Sequence, residues 1–391
     1  MEKIIFFYSD KIFGKNGGSL SSRRFYELLN NLKSKQKIDD LLIVSLDNLP
    51  NPYGIRIKKN KLLDVASRVL LKSNYLYFPL RHYRKVFRDY KPSKIFINSR
   101  MDFIARFFKK TNPHCEIFVY FDNIEFDYCR NAVPKWAVCI EKQIVFRAEK
   151  NSVSTADGLF FLTRRDRDRC VALYGGTTKK DVSNMIFPIT ITPSDSLTIA
   201  PSKPTLLLLG SLSYKPNSDS IIWFFDNIFP FLQKDVFDVI VAGNNPPEKI
   251  ESLCRRNRVC LKSNFGKLSD FVPQKTCLLA PLFSGAGMKT KVAESLSYGM
   301  FVIGTFEAFV GYEDVFDNNP SFVRHANTSN EFLEAIKDYS FAFSNNATFN
   351  QNHVFFERFY LTSSYEEQFY NFVFKNVSTI DLTKSDTSFL S

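Results

Sequence analysis

The sequence predicts an α/β protein of two tandem Rossmann-like, doubly wound domains that face each other across a cleft. Three observations carry that prediction. The chain has 391 residues, more than the roughly 250 to 300 at which one hydrophobic core stops growing. Short apolar runs alternate with segments of helical period, in one series and then in a second, which is the pattern of parallel sheets covered by helices. Between the series lies PITITPSDSLTIAPSKP, residues 188–204, rich in Pro, Ser and Thr and without helical period, which reads as a connection. The predicted division is 1–190 for the first domain, 191–204 for the linker, 205–350 for the second domain, and 351–391 for a C-terminal helix and tail packing back on the first.

The first series opens with KIIFFYS, a short apolar strand, followed by a loop with Gly14, Gly17 and Gly18. In SLSSRRFYELLNNL the apolar positions Phe25, Leu28, Leu29 and Leu32 then recur at helical spacing. Further strands are expected at LLIVSL (41–46), KIFINS (94–99), EIFVYF (116–121) and GLFFL (158–162). The second series runs through TLLLLG (205–210), the amphipathic SIIWFFDNIFPFL, and the strands FDVIVAG, RVCLKS, CLLAPL and FVIGTF. Sheets of this kind bind ligands beyond the carboxyl ends of their strands. The tail segment FFERFYLTSSYEEQFYNFVFK reads as helical.

Composition narrows the class. With 45% hydrophobic residues, 41 Phe and 17 Tyr, a disordered chain is excluded, and 15 Gly exclude a repeat fibre. No run of about 18 uncharged apolar residues occurs, and Asp10 and Lys11 interrupt the opening run, so a cytoplasmic protein, neither exported nor membrane-spanning, is expected. Seven Cys stand without a C-x-x-C pair or metal-ligand spacing near the four His, as reduced packing thiols do. His82, His114, His325 and His353 are read as neither ligands nor catalytic bases. Asp166 and Asp168 sit among arginines in a helical segment, and a metal-independent chemistry without cofactor is expected.

The net charge of +12 calls for an anionic partner. Nucleic acid, an anionic membrane surface or phosphorylated substrates would each serve. Much of the charge lies between Arg56 and Lys110, where Lys58, Lys59, Lys61, Arg68, Lys72, Arg81, Arg84, Lys85 and Arg88 alternate with Leu, Val, Tyr and Phe. Two readings fit this region: the solvated faces of ordinary helices, or a peripheral contact with anionic lipid at the inner face of the cytoplasmic membrane. No zinc-finger, basic-zipper or RNA-recognition signature is present, so nucleic acid is the weaker partner.

The most informative stretch is PLFSGAGMKTKVAESLSYGMFVIGT, residues 281–305. After the strand CLLAPL, the small residues Ser284, Gly285, Ala286 and Gly287 let backbone amides approach a ligand, and a helix is expected to start near Lys289. A helix start with two lysines, Lys289 and Lys291, suits a diphosphate. Glu294, about one turn beyond Lys291, could accept two hydrogen bonds from vicinal ribose hydroxyls. A helix cap with solvated lysines is the bland alternative.

At this stretch the chain resembles the family-1 and family-4 glycosyltransferases of GT-B fold, whose second domains carry a Gly-rich loop, a Lys and a Glu before a small-residue helix. LLLLGSLSYKPNSDSIIWFFDNIFP, GTFEAFVGYED and ADGLFFLTRRDRDRCVALYG followed by Pro188 extend the resemblance over most of the chain. It implies that Glu294 meets the donor ribose and that Lys289 and Lys291 meet the diphosphate or support its loop. Gly285, Ala286, Gly287 and Met288 would line the donor, and Lys215 would lie near the phosphates. Gly17 and Gly18 match the glycine loop that approaches the donor from the opposite wall. Ala286 stands where many retaining relatives have a Glu, and Ser211 where they often have an Arg, which moves phosphate neutralisation onto the lysines.

The third candidate site is FVYFDNIEFDYC, where Asp122 and Asn123 end a strand and point into the expected cleft. Relatives often have His-Asn here. Asp122 would act as a base toward an acceptor hydroxyl, orient the donor sugar, or merely make a strand-end turn. Glu125 and Asp127 are weaker candidates, and Glu149 reads as structural. The resemblance implies a retaining hexosyltransferase that uses a UDP- or GDP-sugar and a glycan or lipid-linked acceptor in surface-polysaccharide synthesis. An epimerase or phosphorylase on the same fold, a basic nucleic-acid-binding protein, and a non-catalytic nucleotide-sugar-binding scaffold are the alternatives.

Overall fold

A computed structural model describes residues 2–14, 17–47, 54–58, 60, 62, 66–67, 70, 76–129, 138–175, 182–193, 195–233, 235–285, 287–317, 321–345 and 350–375. The chain divides into two compact units, Met1–Pro188 with Tyr365–Ser391, and Ile189–Ser364.

Unit 1 is built on β1 (Lys3–Phe7), β2 (Asp40–Ser45), β3 (Gly54–Arg56), β4 (Lys94–Asn98), β5 (Glu116–Phe121), β6 (Gly158–Phe161) and β7 (Ser183–Ile186), in the order β3-β2-β1-β4-β5-β6-β7. All the pairings are parallel. Residues Ile4 to Phe7 of β1 are fully buried, because helices cover both faces of a parallel sheet, and the strand therefore reads as an unbroken apolar run. The helix Gly17–Ser34 sets Phe25, Leu28, Leu29 and Leu32 against one face, beside Phe6, Phe96, Phe118 and Phe160. It begins at Gly17, so Gly17 and Gly18 are its first residues and do not form a preceding loop.

The helix Glu366–Phe374 completes that face, with Phe369 stacked on Phe160 at 5.5 Å and on Phe96 at 5.8 Å. The expected C-terminal helix is thus two helices. The earlier one, Asn350–Phe359, belongs to unit 2. Residues 376–391 lie outside the described residues.

Unit 2 is built on β8 (Thr205–Leu209), β9 (Asp238–Gly243), β10 (Cys260–Ser263), β11 (Cys277–Ala280), β12 (Phe301–Gly304) and β13 (Val323–His325), in the order β10-β9-β8-β11-β12-β13, again all parallel. The stretch read as a linker is pinned to this unit. Ile191 bridges Leu361 and Ile199 bridges Pro273, while Asp195 accepts from Ser269 Oγ (2.6 Å) and Tyr298 Oη (2.7 Å). Its Pro, Ser and Thr content conceals these isolated tertiary contacts.

The sequence reading has no counterpart for β3, β7 or β13, and all three are edge strands. An edge strand leaves one side open and needs no continuous apolar run, and each of these has only one buried residue or none. The strand order reverses between β1 and β4 in unit 1 and between β8 and β11 in unit 2. At such a switch point the flanking connections diverge and open a crevice.

Candidate active site

At the switch point of unit 2, the connection after β8 enters the helix Lys215–Asn227 and the connection after β11 enters the helix Thr290–Ser297. Lys291 joins them. Its ammonium donates to Asn217 Oδ1 at 2.8 Å, and Asn217 Nδ2 donates to the Ser211 carbonyl at 2.9 Å. Gly210, with φ +147°, makes this possible, because a Cβ there would stand 2.6 Å from Asn217 Nδ2 and 2.9 Å from Lys291 Nζ. The other two donors of Lys291 have no partner among the described residues. Burial, and then the charge of Lys289, lower its pKa to about 7 against the pull of Glu294.

Lys289 is engaged differently. Its ammonium donates to the Gly287 carbonyl (2.8 Å) and to Glu307 Oε1 (2.9 Å). It thereby closes the loop on itself. Gly285, at φ +146°, carries the bend beside the Lys289 side chain. Tyr312, fully buried, donates to the Lys289 carbonyl (2.7 Å) and accepts from the Ala293 amide (3.0 Å), fixing the start of the helix. Met288 is buried, and its sulfur accepts from the Ile189 amide at 3.1 Å. Of the two alternatives for the lysines, the contacts of Lys289 are those of loop support, while Lys291 retains open donors.

The Glu294 carboxylate accepts no hydrogen bond among the described residues, while its backbone carbonyl accepts from Ser297 Oγ at 2.7 Å. Burial and the nearby Asp195 push its carboxyl up to about 7, opposed by Lys291. Asp195 itself is held below the usual range by Ser269, Tyr298 and Lys267. A half-buried carboxylate with no partner of its own is suited to receive two hydroxyls. Lys215, by contrast, is 82% exposed and paired with Asp219 at 2.5 Å, an ion pair one turn along its own helix that draws the ammonium outward. Ser211 is exposed and lies 3.4 Å from Ser213 through the hydroxyls. Ala286 lies outside the described residues.

In unit 1, Asp122 follows β5 and accepts from Ser21 Oγ at 2.5 Å. Ser21 lies in the helix that follows β1, so the bond spans two connections at the carboxyl end of the sheet. Burial raises the Asp122 carboxyl, and Ser21 and Arg24 oppose that rise. The neighbouring Asn123 has a buried Oδ1 without a partner among the described residues. Gly18 is exposed at the start of the same helix that carries Ser21.

Glu149 is fully buried and gathers the Tyr174 hydroxyl (2.8 Å), the Glu125 and Phe126 amides (3.0 and 3.2 Å) and Ser99 Oγ (3.3 Å). It anchors the start of the Glu125–Tyr128 helix and so the segment that presents Asp122. Burial pushes its carboxyl up to about 7 against these donors. Asp127 is paired with Arg169 at 2.8 Å. Sequence reasoning missed Asn217, Glu307, Ser21, Arg24 and Asp195. Asn217 alone had a local signal, as a polar residue in the first turn of a helix after a strand.

Residues 203–340 match the family model for glycosyl transferases group 1. No curated protein matches the chain in sequence. Among solved structures it is similar to the apo form of the lipopolysaccharide outer core galactosyltransferase WaaB, at 13% identity and a TM-score of 0.66, over 96% of this chain and 100% of that one. Sucrose-phosphate synthase from Thermosynechococcus elongatus gives 12% identity and a TM-score of 0.70 over 96% and 100%. HepE from Anabaena in complex with UDP and glucose gives 9% identity and 0.65, also over 96% and 100%. At these identities the likeness establishes the fold. The chain has the GT-B type of fold that these structures share, and residues 203–340 of unit 2 form a glycosyl transferases group 1 domain.

Proposed function

We propose that the chain transfers a sugar from a UDP- or GDP-sugar to a glycan or lipid-linked saccharide of a surface polysaccharide, with retention and without a metal ion. The observation that carries this reading is the Lys291–Asn217 contact across the switch point of unit 2, with Glu294 about one turn further on. Two open ammonium donors at a helix start suit a diphosphate, and a carboxylate without a partner suits a ribose. UDP is favoured because HepE, a structural neighbour, is known in complex with UDP-glucose. WaaB, a lipopolysaccharide outer core galactosyltransferase, lends support to the acceptor class.

In the reaction, the bond from the sugar's anomeric carbon to the diphosphate oxygen breaks and the diphosphate leaves with the electron pair. Lys291 and the start of the Thr290–Ser297 helix stabilise that charge. The acceptor oxygen bonds to the same carbon and gives up its proton, which Asp122 or the departing phosphate receives. Asn123 would help place the acceptor beside Asp122. Arg81, Arg84, Lys85 and Arg88 are exposed on the helices Tyr77–Arg81 and Arg84–Tyr90. They support a peripheral contact with anionic lipid at the cytoplasmic membrane. Lys59, Lys61, Arg68 and Lys72 lie outside the described residues. Among the described residues, no helix is long and apolar enough to cross a membrane.

The test is calorimetry with UDP, GDP, CDP and ADP and their sugar conjugates. UDP or GDP should bind and stabilise the fold by about 2.7 kcal/mol at a hundredfold excess over Kd. If none of the eight binds, the donor-site reading fails.

A further inference from the structure

The reaction scheme employs Asp122 but not the group that faces it from inside unit 1. Arg24 is 1% exposed. Its Nη1 donates to the carbonyls of Phe187 and Pro188, and its guanidinium lies over the rings of Phe187 (4.4 Å) and Phe25 (5.0 Å). Nε and Nη2, both buried, have no acceptor among the described residues. A guanidinium buried with open donors is costly unless an anion compensates it. The anion that the geometry offers is Asp122, bonded to Ser21 of the same helix, and its charge favours the cationic form of Arg24 more than the neighbouring Tyr365 and Tyr120 do. Burial lowers Arg24 only to about 10, so it is a cation at neutral pH.

Ser21 precedes Arg24 by three residues and so lies on the same side of the Gly17–Ser34 helix. It donates to Asp122 Oδ1 at 2.5 Å, and Asp122 Oδ2 accepts no hydrogen bond among the described residues. We propose that Arg24 is a positioning residue for Asp122. From the buried side it supplies the opposite charge without occupying the carboxylate, while Ser21 sets the carboxylate's orientation and Oδ2 stays open to an acceptor hydroxyl. A direct Arg–carboxylate fork would occupy both oxygens and leave none to receive a proton. The inference rests on the acceptor-side role proposed above for Asp122.

The titratable groups that face Asp122 are Arg24, Tyr8 beyond β1, Tyr120 on β5 and Glu125 after the turn. Burial pushes both tyrosines well above neutrality and raises Glu125. Burial likewise raises Asp122, and the Ser21 hydroxyl and the Arg24 charge lower it. Removing either of the lowering partners therefore moves the Asp122 midpoint upward.

The test is a direct titration of Asp122 in the full chain labelled with 13C at the aspartate Cγ, its signal identified by loss in Asp122→Asn. Arg24→Met should raise the midpoint by about one pH unit. Arg24→Lys, which keeps the charge, should stay near the native value, and Ser21→Ala should move it upward. An unchanged midpoint in Arg24→Met, or an equal shift in Arg24→Lys, overturns the proposal. Should Arg24→Met fail to fold, the native chain decides: the Arg24 15Nε resonance should move with the Asp122 midpoint and stay flat in Asp122→Asn. A flat resonance in the native chain overturns the coupling. Neither titration needs a nucleotide sugar, so a chain that binds none refutes the transferase reading alone, and a flat titration refutes this inference alone.

Discussion

In both units a helix starts shortly after the first strand of the sheet, but the polar groups that its first turns meet are opposite in sign. In unit 1, Ser21 and Arg24 of the Gly17–Ser34 helix meet a carboxylate, Asp122. In unit 2, Asn217 of the Lys215–Asn227 helix meets an ammonium, Lys291. The topology is shared and places polar groups at the carboxyl ends of the strands; the side chains alone decide what those ends can bind. A cationic end suits a leaving diphosphate, whereas a carboxylate with one open oxygen suits a hydroxyl that must lose a proton.

The sharpest way to break this contrast is Asp122→Asn. Turnover should fall about a hundredfold or more, while UDP affinity stays nearly unchanged. Steady-state rates and calorimetry on the same variant check it, and full turnover would reduce Asp122 to a strand-end turn residue. On the other side, Lys291→Met should weaken UDP binding by about ten- to hundredfold, the equivalent of a charge-assisted hydrogen bond worth ~1.5 to 3 kcal/mol. An unchanged Kd would mean that the open donors of Lys291 do not meet the phosphates.

Glu294→Ala should cost roughly tenfold in UDP affinity. That loss should vanish for a 2′,3′-dideoxy nucleotide, which has no ribose diol to lose. An equal loss with both nucleotides would place Glu294 away from the ribose. The smallest effect expected is a pH dependence. Lys291 in the free chain titrates at about 7, and a bound diphosphate favours its charged form. Above pH 7, binding must therefore take up a proton, and UDP affinity should fall severalfold between about pH 7 and 9. Calorimetry in buffers of differing ionisation enthalpy would report the proton uptake, which should be lost in Lys291→Met.

The parts of the site that are local in sequence were legible there. Small residues after an apolar strand, two lysines and a glutamate at helical spacing fix the Gly285–Glu294 segment as a loop running into a helix, because backbone freedom and the 3.6-residue period are properties of neighbours. The central strands were legible for the same reason, since burial on both faces writes a continuous apolar run such as KIIFF. The edge strands β3, β7 and β13 were not, and neither were the contacts that pin residues 191–204 to unit 2. Short segments with one open side carry too little burial to leave a pattern.

What the sequence determined by itself was the two-series α/β plan and the identity of the charged residues near each set of strand ends. Only the tertiary structure decided how those charges are used. Lys291 reaches Asn217 across 74 residues, Lys289 reaches Glu307 across 18, and Asp122 reaches Ser21 across 101. These pairings turned Lys289 inward to its loop, left Lys291 and Asp122 with unused hydrogen-bonding capacity, and set a buried Arg24 opposite Asp122. The physical reason is that a charge's partner and its solvation depend on distance in space, which the chain order does not contain.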